Sequence, residues 1–171
     1  MEPRTHSTLS RHVGLTQTLV LLLFAFTLTS NAVAVTGLTT IDDVRGPWVE
    51  GGKRKVAVWI DDCNGLLCGR IYWLKKPLSA SGSPKRDAKN PDPMLRNRLL
   101  CGLTILSDFR REQGDTWRTG QIYNPSDGRT FSGTLSLENN GVLKVRGYVG
   151  LSLFGKTVTW VRPTENIKSC G

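Results

Sequence analysis

Histidine is the scarcest reactive residue in this chain of 171, present as His6 and His12 and nowhere else. Both lie in an N-terminal stretch that reads as an export signal, so the segment from Val35 to Gly171 contains none. That absence excludes a Ser-His-Asp triad, a Cys-His pair and any His-based zinc site. Long apolar runs are missing too. Leu19–Leu28 is shorter than the roughly 20 residues a bilayer span needs, so no transmembrane segment is expected after the signal. No internal repeat, coiled-coil heptad or glycine-rich nucleotide loop occurs, and no cofactor is expected. Acidic residues are few, 14 against 23 Lys and Arg.

Arg4, His6, Arg11 and His12 precede the apolar stretch, and Ala32-Val33-Ala34 supplies small residues for cleavage. Residues 1–34 therefore read as a secretory signal peptide, cut near Ala34, followed by one domain over 35–171. The expected location is periplasmic or secreted. Loss of Arg4, Arg11 and Glu2 lowers the formal charge of +9 by one unit, so the domain stays strongly basic. Such a surface is drawn to anionic partners. Export makes an anionic envelope surface the natural one and argues against nucleic acid.

Thr40-Ile41-Asp42-Asp43 has a hydroxyl cap and first-turn carboxylates, and Gly46-Pro47 stops the helix after a single turn. A strand then starts at Trp48. Lys55–Asp62 and Gly69–Leu74 form a hairpin whose loop the cysteines select. A two-residue Asn64-Gly65 turn leaves Cys63 and Cys68 on a diagonal of about 7–8 Å, too long for an unstrained bridge. A four-residue loop, Asn64–Leu67, sets them directly opposite and pairs Asp61 with Arg70, Ile60 with Ile71, and Val58 with Trp73. The second register is the expected one. Four cysteines in an exported domain allow three connectivities. Cys63–Cys68 is expected on this geometry, leaving Cys101 and Cys170 either bridged or as free thiols.

Lys75–Arg98 is the longest irregular stretch and carries Lys75, Lys76, Lys85, Arg86, Lys89, Arg96 and Arg98. Asp92-Pro93 reads as a cap followed by proline at the first helical position, predicting a short helix. Asp87, Asn90 and Asp92 are oxygen donors, but their spacing fits no calcium loop, and capping explains them without a metal. Strands follow at Leu103–Leu106 and Trp117–Tyr123, joined by a polar connection over Asp108–Thr116. Asn124-Pro125-Ser126-Asp127-Gly128 is a turn. Beyond it Phe131, Gly133, Leu135 and Leu137 share one face.

Asn139-Asn140-Gly141 fits a three-residue hairpin loop with glycine in the left-handed position. It sets Leu137 opposite Leu143, Leu135 opposite Val145 and Gly133 opposite Gly147. On the other face Ser136 meets Lys144, Thr134 meets Arg146, and Ser132 meets Tyr148. The last strand, Thr157–Arg162, puts Val158, Trp160 and Arg162 on one side. The sum is an all-β fold: an antiparallel up-and-down barrel of about eight strands with one or two short helices.

Gly46-Pro47-Trp48, Leu67-Cys68-Gly69-Arg70-Ile71, Asn90-Pro91-Asp92-Pro93, Gly102-Leu103, the run Ile122–Gly128, Val145-Arg146-Gly147-Tyr148 and Thr159-Trp160 together resemble the bacterial exported family catalogued as domain of unknown function 2147. The resemblance spans nearly all of 35–171 and implies a calycin-like barrel akin to lipocalins, with no agreed activity. It also implies a structural pair in which Trp48, of a Gly-x-Trp motif on the first strand, packs against Arg162 near the end of the last.

The expected function is a non-enzymatic envelope protein whose barrel binds a small hydrophobic or amphipathic ligand. Trp59, Tyr72, Trp117, Tyr123, Arg146, Tyr148 and Trp160 are the candidate contacts, supplying aromatic area and one cation. Two alternatives stand beside it. The barrel is filled by its own side chains, or the basic loop with Lys53-Arg54-Lys55 contacts anionic lipid or cell-wall polymer. No catalytic residues are expected: Asp61, Asp62, Asp127 and Glu138 show no convergence of the kind a carboxylate pair requires. If the polar face of the Phe131–Tyr148 hairpin points inward, a binding site is expected; if the apolar face does, the barrel is expected to be mainly a scaffold.

Overall fold

The computed structural model describes residues 41–170; the expected signal peptide over 1–34 and the expected helix cap at Thr40 lie outside the described residues. A single helical turn, α1 (Ile41–Val44), leads into eight strands: β1 (Gly46–Glu50), β2 (Val56–Cys63), β3 (Leu66–Leu74), β4 (Thr104–Gln113), β5 (Thr116–Asn124), β6 (Arg129–Leu137), β7 (Leu143–Tyr148) and β8 (Lys156–Val161). Each pairs antiparallel with the next, and β8 returns to β1 through Val49–Val161 and Glu50–Trp160, closing the barrel in strand order. Closure leaves no free sheet edge. Among the described residues no helix is long and apolar enough to cross a membrane.

The β6–β7 hairpin has the expected register throughout, from Leu137–Leu143 to Ser132–Tyr148, with Gly141 at φ 75° in its loop. The β2–β3 hairpin does not. Cys63 faces Leu66, Asp61 faces Cys68, Ile60 faces Gly69 and Val58 faces Ile71. Asn64 (φ 59°) and Gly65 (φ 80°) are both left-handed, as a two-residue Asn-Gly hairpin turn requires. Cys63 and Cys68 are nevertheless bridged, with Cα atoms 5.9 Å apart. Twist of a strand pair shortens one diagonal, which the flat-sheet distance ignores. Asp61 consequently pairs with Arg45 at 2.8 Å rather than with Arg70. A bulge between Ala57 and Val58 shifts Trp73 to face Ala57.

The polar connection over 108–116 is also corrected. Most of it is strand, with β4 running to Gln113 and a tight Gly114-Asp115 turn before Thr116. Asp108 takes φ 62°, so Leu106 and Phe109, three apart, both reach the core. A bulge breaks the two-residue alternation by which a strand is read. The second bridge joins Cys101 to Cys170, and the tail is further held by Arg54–Glu165 at 3.1 Å.

The apolar face of the hairpin points inward. Leu135, Leu143 and Val145 are buried with Trp48, Val58, Ile60, Leu67, Leu106, Phe109, Trp117 and Trp160. Glycines make room for the largest rings. A Cβ at Gly120 would lie 2.3 Å from the Phe109 ring, and one at Gly133 would lie 2.6 Å from it. The barrel is therefore solid around Phe109. Arg162 seals the end where β1 begins: its guanidinium lies 4.0 Å from the Trp48 ring centroid and donates to the carbonyls of Arg45, Pro47 and Asp43. Trp48 Nε1 donates to Val44 O at 2.7 Å, tying α1 to the same plug.

Candidate functional site

Odd-to-even connections (51–55, 75–103, 125–128 and 149–155) all emerge at the end opposite Arg162. There the inward faces of β5 to β8 outrun the core. Ile122, Phe131, Val145, Val158 and Trp160 floor a mouth of about 430 Å³, rimmed by Asn124, Asp127, Arg129 and Lys156. Val158 points inward from β8 opposite Val145, yet stays 37% exposed. An inward apolar side chain that water still reaches marks an open lumen. Gly147 pairs with Gly133 across the wall, and with no side chain on either the mouth stays clear of two inward groups. Its volume falls within the range of small-molecule sites.

The rim carries the charge. Arg129 is engaged by Asp127 at 3.0 Å and lies 5.3 Å from the Phe131 ring centroid. The Asp127 carboxyl is held below the ordinary range, first by the Arg129 backbone N–H and then by the Arg129 side chain. Lys156 makes no ion pair among the described residues. The mouth thus combines an apolar floor with one paired and one unpaired cation. The chemistry suited to it is an amphipathic anion.

The seven sequence-predicted contact residues do not converge. Trp160 alone lines the mouth. Trp117 is buried beside the Phe109 layer. Trp59 and Tyr72 contact each other with centroids 5.2 Å apart, on the side of β2 and β3 away from the inward Val58 and Ile71. Arg146 and Tyr148 are on the outer face of β7. Arg146 donates to Ser152 O, Leu153 O and Thr157 Oγ1, clamping the β7–β8 loop. Phe131, Val145, Val158 and Lys156 line the mouth and are not among the seven. Their inward alternation was legible, but not the depth at which the core stops.

Tyr123 belongs to a different cluster that positions the long loop. Its hydroxyl donates to Asp87 Oδ1 at 2.6 Å and accepts from Asn90 Nδ2 at 3.0 Å. Asp87 is fully buried and its other oxygen accepts from Asn90 at 2.8 Å and Arg98 at 2.9 Å. Burial, then the Asp87 carboxylate, pushes the Tyr123 phenol up. Asp92 caps the 3-10 turn Pro93–Leu95 through Met94 N at 2.9 Å. These donors are consumed by the loop itself, and no cluster of metal-binding type occurs among the described residues. Gly128, at φ 75°, lets Lys89 O approach so closely that a Cβ would sit 1.9 Å from it.

A closed eight-stranded antiparallel barrel agrees with what comparison with known proteins finds. The profile of a family described as "Uncharacterized protein conserved in bacteria (DUF2147)" matches residues 46–162. The chain belongs to this family. Among solved structures, the DUF2147 chain is similar to one described as "Protein HP1028 from the human pathogen Helicobacter pylori belongs to the lipocalin family". Identity is 29%, the TM-score is 0.60, and the likeness covers 71% of this chain and 84% of that one. No curated protein matches. The DUF2147 barrel is lipocalin-like in fold, and its matched region includes β1 with Trp48 and ends at Arg162.

Proposed function

We propose that this protein is a non-enzymatic carrier or receptor of the cell envelope whose barrel mouth holds a small amphipathic anion. The observation carrying this reading is the juxtaposition of an inward-facing apolar floor, with Val158 still exposed, and the Lys156 ammonium, which makes no ion pair among the described residues. Burying apolar surface supplies affinity, and the cation selects the charged end. Two disulfides suit an oxidising compartment such as a periplasm, and a lipocalin-like fold supports a binding role. No nucleic acid enters this reading.

Calorimetric titration with a medium-chain alkyl carboxylate and the alkylammonium of equal length tests it. The carboxylate is expected to bind, and the ammonium to bind at least about tenfold more weakly, from one favourable and one unfavourable charge contact in a partly desolvated site. Lys156→Ala should remove most of that difference. Val158→Glu should abolish carboxylate binding while the thermal midpoint holds. No heat from either ligand would refute a binding mouth; equal affinity for both would refute selection by Lys156.

A further inference from the structure

The β7–β8 loop exposes an unusual amount of apolar surface. Val149, Leu151, Leu153 and Phe154 are 73%, 69%, 78% and 79% exposed. The loop is built rather than loose. Ser152–Phe154 form a 3-10 turn, and Arg146 grips its carbonyls at 2.6 and 3.1 Å. A Cβ at Gly155 would lie 2.8 Å from Gly147 O, so the loop leaves β7 in close contact with it. Polar groups hold the backbone while the apolar side chains face water. Contiguous exposed apolar surface of this kind marks an interaction site.

Charge identifies the partner. Loops at this end also carry Lys53, Lys55, Lys75, Lys76 and Lys85 around one depression of about 570 Å³, and none of the five makes an ion pair among the described residues. Gly51 N donates to Thr159 O at 2.8 Å, so the 51–55 loop leaves from the strand that pairs with β8, and the lysines and the apolar loop belong to the same end of the barrel. At the opposite end the lysine and arginines at the hairpin turns are engaged instead, in Arg118–Glu112, Arg111–Asp115 and Lys144–Glu138. We infer that the open end of the barrel docks on an anionic lipid bilayer, with Leu151, Leu153 and Phe154 entering the headgroup–acyl boundary and the lysines meeting the headgroups. Apolar insertion combined with unpaired cations is the interfacial pattern for anionic lipid. Docking at this face would bring the mouth to the membrane surface, although it does not depend on the mouth holding a ligand.

Protein purified after expression of the full chain is to be cosedimented with phosphatidylglycerol-containing and pure phosphatidylcholine vesicles, at low and at 0.5 M salt. Expected is partition to the anionic vesicles only, weakened by salt. Leu153→Ser with Phe154→Ser should lower it by about tenfold or more. Lys75→Glu with Lys76→Glu should lower it at least as far, at about fivefold per lysine removed. Both pairs are surface changes and should leave the thermal midpoint in place, which separates lost docking from lost fold. Absence of partition, equal partition to both vesicles, or partition that ignores the apolar pair would overturn the proposal. So would a vesicle-free dimer, seen by sedimentation velocity, that the apolar pair dissociates.

Discussion

At the residue scale, one arginine and one tyrosine each do work that their sequence neighbourhood does not show. Arg162 is a stopper: it satisfies three backbone carbonyls and covers the Trp48 ring. Burial pushes its pKa down from the ordinary value, yet arginine stays charged at any working pH. Arg162→Met keeps the stem but strips the donors, and is expected to cost about 2–3 kcal/mol in a urea denaturation series. Trp48→Ala, which empties a fully buried site, should cost about 3–5 kcal/mol. Tyr123 adds a pH dependence. Its folded pKa is raised above 10.0, so its contribution is complete below pH 10 and is lost as pH rises through the folded value. Tyr123→Phe should be less stable at neutral pH by about 1 kcal/mol and should show a shallower alkaline loss than the wild type. An unchanged alkaline slope would exclude Tyr123 as its source.

At the element scale, two glycines with the same φ of 75° separate backbone preference from packing. Gly141 has nothing within 4 Å of where a Cβ would stand, whereas Gly128 meets Lys89 O at 1.9 Å. Gly141→Ala should therefore cost about 1–2 kcal/mol, the left-handed penalty alone. Gly128→Ala should cost clearly more and should detach the long loop, exposing Asp87 and the Tyr123 hydroxyl. Hydrogen exchange across 85–100 would read that detachment, and equal costs for the two variants would contradict the contact. The β7–β8 loop shows the same division of labour. Arg146 looked like a ligand cation because it shares a face with Lys144 and Tyr148, but that face is outside the barrel and its donors are spent on Ser152 and Leu153.

At the scale of the whole molecule, the two disulfides differ mainly in span. Cys63 and Cys68 are 5 apart in sequence, and Cys101 and Cys170 are 69 apart. On the chain-entropy account the short bridge is worth about 2 kcal/mol and the long one about 4 kcal/mol. Cys101→Ser with Cys170→Ser should thus lower the urea midpoint about twice as far as Cys63→Ser with Cys68→Ser. The long bridge fastens a tail that runs from β8 past Arg54 to Tyr72, where Cys170 N donates to Tyr72 O at 2.9 Å. Along the barrel axis the molecule is polarised. One end is plugged by Trp48 and Arg162; the other is open and carries lysines that make no ion pair among the described residues, together with exposed Leu153 and Phe154.

Local pattern was enough for the barrel class and the β6–β7 register, because alternation and turn residues act over a few positions; the Trp48–Arg162 pair, which joins the first strand to the end of the last, came only from the family resemblance. Phe131, Gly133, Leu135, Leu143, Val145 and Gly147 could be placed on one face from spacing alone. Three things needed the tertiary structure. Bulges at Asp108 and near Ala57 broke the two-residue count, and twist let a two-residue Asn64-Gly65 turn coexist with a Cys63–Cys68 bridge. Whether the apolar face filled the lumen depended on how far Phe109 and Trp117 reach once Gly120 and Gly133 yield space, a sum over four strands distant in sequence. The mouth exists where that filling stops, at Val158 and Lys156, and no single strand carries that information.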